Sequence, residues 1–119
     1  MRFKQVHDTL EAALAGFKDK NGQDADLSGH LVAGKPPFGW ETADQLRNAW
    51  GKGVALIQPE VIGKTPKLGH TANIVIDLQT GLNGKPRMPK GGPYLTPEQI
   101  QVIIDWIDGG CLPDPAPGP

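Results

Sequence analysis

The residues of this chain best suited to chemistry are three histidines, one cysteine and a Met88-Pro89 pair. His7, His30, His70 and Cys111 lack the short spacings with which zinc draws ligands from one turn or hairpin, so no metal site is expected. Asp24, Asp26, Ser28 and Gly29 imitate the opening of a calcium loop, but Lys35 stands where a bidentate glutamate must close it. Gly63-Lys64-Thr65 echoes a phosphate-binding loop. Gln58 occupies the place of its earlier glycine, however, and Pro66 blocks the helix that should follow. Ser28, the single serine, is outside any Gly-x-Ser-x-Gly elbow. Cys111 follows a helix C-terminus, whose negative dipole end disfavours a thiolate. Asp105 and Asp108 flank Trp106 and read as a solvated helix face and an end-of-helix polar residue. No catalytic residue is expected, and the chain does not read as an enzyme acting alone.

Several elements must position these side chains. Phe3, Val6, Leu10, Ala13, Leu14 and Phe17 recur at intervals of three and four, which predicts a first helix with one apolar face, broken at Asn21-Gly22. The polar run to Gly34 and then Pro36-Pro37 predict an extended loop. Thr42 with Gln45 predicts a capped second helix, with Leu46, Ala49 and Trp50 facing inward and Gly51 and Gly53 ending it. Ile74, Val75, Ile76 and Leu78 fit a buried helix or a strand; a short helix is favoured. The last helix is signalled by Thr96 as cap, Pro97 at its first position and Gln99 as capping-box partner. Ile100, Ile103, Ile104 and Ile107 form its inner stripe, and Gly109 suits a left-handed end.

A length of 119 residues predicts one core, and sixteen glycines with twelve prolines predict short helices joined by long, constrained loops. The expected fold is all-α, with three to five short helices in one domain over residues 1–112 and a proline-rich flexible tail over 113–119. A net charge of -1 gives no electrostatic footprint for nucleic acid or an anionic membrane, and the N-terminus resembles neither a signal peptide nor a membrane span. The lone cysteine predicts a cytoplasmic location, or a periplasmic one if a signal peptide has been removed.

The segment Arg87-Met88-Pro89-Lys90-Gly91-Gly92-Pro93, then Leu95-Thr96-Pro97-Glu98-Gln99-Ile100 and Ile103-Ile104-Asp105-Trp106-Ile107-Asp108-Gly109-Gly110, resembles the end of a class I cytochrome c domain. In that family a Met-Pro dipeptide supplies the distal haem ligand and the terminal helix has an aromatic near its end. The likeness covers roughly the last quarter of the chain, and extends weakly to Gly16-Phe17 on the first helix. It implies a cytochrome c-like fold in which the N- and C-terminal helices cross.

Covalent haem attachment needs Cys-x-x-Cys-His, and Asp26-Leu27-Ser28-Gly29-His30 keeps only the histidine. The resemblance is therefore to haem-less cytochrome c-like domains. It implies a non-catalytic binding or accessory module without a cofactor, whose partner is another protein such as a larger oxidoreductase. Phe38, Trp40, Trp50, Tyr94 and Trp106 would refill the space of the porphyrin, with Met88 and Tyr94 turned inward. The alternative is an electron carrier that binds haem noncovalently through His30 and Met88.

Overall fold

In a computed structural model, residues 2–22, 34, 38–51, 53–82, 84, 86–89 and 92–114 are described. The chain is mostly helical. Its order is α1 (Phe3–Asn21), α2 (Ala43–Arg47), strands β1 (Trp50–Gly51) and β2 (Val54–Ala55), α3 (Asn73–Gln79) and α4 (Pro97–Asp108). Single 3-10 turns at Pro59–Val61 and Gly69–Thr71 lie between β2 and α3. The strands form a small antiparallel hairpin, pairing Trp50 with Ala55 and Gly51 with Val54.

The terminal helices pack together because each offers a long apolar stripe. Phe3, Val6 and Leu10 of α1 are buried, as are Ile100, Ile103, Ile104, Trp106 and Ile107 of α4. Phe3 meets Trp106 with ring centroids 5.4 Å apart. Burying side chains of this size contributes about 1.5–3 kcal/mol each, so this face outweighs any single cap.

The caps nevertheless fix where each helix begins. Arg2 cannot accept the free amides of α1, and Asp114 does so instead: Phe3 N and Lys4 N donate to its carboxylate at 2.7 and 3.0 Å. Asp114, the second residue of the tail expected from Pro113, thus reaches back across the fold. Thr42 caps α2 by accepting from Gln45 N, but the anticipated capping box does not close, because Gln45 Oε1 accepts from Glu41 N at 2.9 Å. That helix also ends earlier than expected: Asn48 is its C-cap, and Ala49 and Trp50 lead into the hairpin. Leu46 and Ala49 are fully buried, while Trp50 is only half-buried.

The ambiguous apolar run is helical, as α3. Its N-cap, Ala72, has no side-chain acceptor, and Gln58 supplies one by accepting from Asn73 N at 2.9 Å. Asn73 Nδ2 donates in turn to Ala55 O, tying the hairpin to the start of α3. The capping box of α4 closes as predicted, with Gln99 N donating to Thr96 Oγ1 and Thr96 N to Gln99 Oε1.

Its C-terminus differs from expectation by one residue. Gly109 is right-handed, with φ -79°, and the left-handed position belongs to Gly110, φ 105°. Gly110 N donates to Ile107 O and Cys111 N to Trp106 O, the paired bonds of a Schellman motif, which places the φ > 0 residue one beyond the cap. Asp108 is also more than an end-of-helix polar group. It accepts from Gly69 N at 2.8 Å, and a Cβ on Gly69 would lie 2.6 Å from that oxygen and 2.9 Å from Ile104 O.

Asp114→Ala should lower stability by about 1 kcal/mol, as loss of a helix cap typically does, read as a lower urea midpoint with an unchanged slope.

Candidate functional site

The C-terminal carbonyls of a helix lack partners within it, and those of α3 recruit the segment that carries Met88. Met88 N donates to Asp77 O at 3.1 Å and Arg87 Nε to Leu78 O at 2.8 Å. Met88 is thereby held against the core, half-buried. It forms part of a pocket whose lining includes Leu10, Leu14, Phe38, Trp40, Leu78 and Leu95, together with Asp77. Among the described residues the lining is apolar apart from Asp77, which is itself buried.

One wall is an aromatic pair fixed from outside. Phe38 and Trp40 pack edge to face, with centroids 5.4 Å apart and planes at 82°. Trp40 Nε1 donates to Glu11 Oε1 of α1 at 2.9 Å, so the indole is tied to a helix rather than to its own loop. On the same helix face, His7 Nδ1 lies 3.1 Å from Asp8 and His7 Nε2 3.8 Å from Glu11. Lys4 bonds Asp8 at 2.7 Å; that hydrogen bond raises the lysine's pKa, and bonds from Lys4 and His7 lower that of Asp8.

The expected refilling by aromatics is only partly realised. Phe38 and Trp40 line the pocket, but Trp106 is committed to the α1–α4 contact, where its Nε1 donates to Leu112 O. Tyr94 is 46% exposed and lies beneath the Arg87 guanidinium, 4.2 Å from its ring centroid. Met88 therefore faces inward and Tyr94 outward. Stacking a cation on an exposed ring keeps both groups hydrated at their edges, a satisfactory alternative to burying the phenol.

His30, the second candidate haem ligand, lies outside the described residues, as do Asp24, Asp26, Ser28, Gly29 and Lys35. His7 is on α1, and His70 is exposed in a 3-10 turn. Among the described residues, no group of three or more His, Cys, Asp or Glu could hold a metal ion. No described helix is long and apolar enough to cross a membrane.

No family model, curated protein or solved structure matches this chain. Its site must be read from its own residues. The pocket can hold an apolar group beside a thioether, and its described residues bring together no nucleophile and base. Sequence reasoning placed Met88 inward but missed Asp77 and Glu11. Asp77 follows three apolar residues in an inward-facing run, which was the available signal; nothing in the sequence pairs Glu11 with Trp40.

Cys111 is fully buried at φ 54°, a conformation that few non-glycine residues adopt, and it follows the Schellman glycine. Burial pushes its thiol up to about 12 from an ordinary 9.0, with the charge of Arg47 opposing weakly. The thiolate is the reactive form, so the native protein should resist iodoacetamide at pH 8 and become alkylated once unfolded in urea. Because the unfolded thiol ionises first, this group's contribution should erode stability as pH rises from 9.0 towards about 12, measurable as a falling urea midpoint. For Met88→Ala, partial burial sets a loss of about 1 kcal/mol, below the roughly 2–5 kcal/mol of a fully buried methionine, again checked by chemical denaturation.

Proposed function

We propose that the chain is a non-catalytic, cytochrome c-like binding module without covalent haem, acting as an accessory subunit or domain of a larger oxidoreductase. The observation that carries this reading is the docking of the Met88 segment on the end of α3, which makes Met88 part of an apolar pocket. Three features accompany it: the Met-Pro and terminal-helix pattern, the packing of α1 on α4, and the absence of Cys-x-x-Cys-His. The long glycine- and proline-rich connections between the helices supply the contact surface for a protein partner.

The same observation favours a second reading, in which haem is held noncovalently by His30 and Met88. The thioether and apolar lining match one side of a porphyrin in chemistry but not in size, so the walls would have to part, and haem bound there would supply one-electron chemistry. Met88 fits that role by position, while the acidic Asp77 and the missing thioether anchors weigh against tight retention.

Two measurements decide between them. One equivalent of hemin should produce no bound-haem Soret band; a stable band that is lost in Met88→Ala would establish the second reading instead. Affinity purification of the tagged chain from its source cell should recover an oxidoreductase polypeptide in stoichiometric amount. Recovery of the chain alone would overturn the accessory role.

A further inference from the structure

We propose that the Met88 pocket binds an uncharged, single-ring aromatic molecule, and that Glu11 is a positioning residue for it through Trp40. The inference rests on the pocket walls and stands apart from the cytochrome-like reading.

Size comes first. The cavity measures about 90 Å³ and is half-open to solvent. A closed cavity of about 150 Å³ in an engineered protein core holds benzene; this one is smaller but half-open, so a single ring is the largest group it can take, with part of the ring left at the mouth. A porphyrin would require the walls to part.

Chemistry narrows the class further. Phe38 and Trp40 at 82° present an aromatic corner against which a third ring can pack edge to face, and the Met88 thioether suits a ring edge. A ligand carboxylate would lose its water among Leu10, Leu14, Leu78 and Leu95. The one polar residue it would meet in the described lining, Asp77, is acidic. Loss of hydration among these apolar side chains therefore selects against anions.

Glu11 acts one step away. Its carboxylate is on α1, outside the pocket lining, and holds the indole N–H of Trp40 at 2.9 Å. Fixing the ring before ligand arrives removes an ordering cost from binding. Glutamine at position 11 keeps an acceptor oxygen, whereas alanine leaves none.

The test is a titration of the full 15N-labelled chain with toluene and, separately, with benzoate. The three tryptophan indole N–H signals are followed, and that of Trp40 is assigned through Trp40→Phe. Toluene should shift the Trp40 signal saturably and show nuclear Overhauser contacts to the methyl groups of Leu14 and Met88. Benzoate should bind at least tenfold more weakly. Glu11→Ala should weaken toluene binding at least threefold, and Glu11→Gln should restore it. Leu14→Trp, which fills the cavity, should abolish binding; if that variant does not fold, the wild-type Overhauser contacts locate the ligand instead. Absence of a saturable toluene shift, absence of those contacts, or equal binding of benzoate overturns the site. Equal toluene affinity in wild type and Glu11→Ala overturns the positioning role. Hemin binding without toluene binding would overturn this inference while supporting noncovalent haem, and toluene binding without an oxidoreductase partner would sustain it while the accessory reading fails.

Discussion

The rest of the fold depends on the contact of α1 with α4, centred on Trp106. That side chain is 1% exposed, packs on Phe3 and donates its indole hydrogen to Leu112 O. The last bond matters because it turns the chain after α4 back towards its own helix. From there Asp114 reaches the first two amides of α1. Apolar burial and helix capping thus join the two ends of the chain in one place, and neither requires a disulfide.

The short elements between those ends are positioned by borrowed partners. Helix α3 has seven residues, too few to persist alone in water, so its stability must come from its neighbours. Gln58 satisfies its start, while Arg87 and Met88 satisfy carbonyls at its end. Asp108 and Gly69 add a backbone approach that only a residue without a Cβ permits. A chain rich in glycine and proline can be ordered in this way because the loops supply the hydrogen bonds that longer helices would make internally.

The pocket is a consequence of this arrangement. Holding Met88 to the end of α3 and Trp40 to the flank of α1 fixes walls that do not close fully on one another. Large side chains expected to fill the gap are committed elsewhere: Trp106 to the terminal-helix contact and Tyr94 to Arg87. Close packing is the rule in protein interiors, so a half-open apolar cavity beside a buried carboxyl marks the place where this surface is suited to take up something else.

The sequence by itself determined the elements whose signals are local. The stripes of α1 and α4, the Thr96–Gln99 capping box and the Thr42 cap all follow from spacing or from a cap within three residues, whereas Ile74–Leu78 fitted a helix or a strand until Gln58 and the Met88 segment were seen to hold the ends of α3. The inward turn of Met88 was expected from the resemblance of its segment to a distal-ligand loop, which turned Tyr94 inward as well. Only the tertiary structure decided that Tyr94 faces out, that Trp106 serves the helix contact and that Gln45 bonds Glu41. It alone paired Asp114 with α1, Asp108 with Gly69 and Glu11 with Trp40. The physical reason is sequence separation. A carboxylate has no intrinsic preference among distant donors, and which amide or indole it meets is set by how the apolar faces pack, a property of the whole chain.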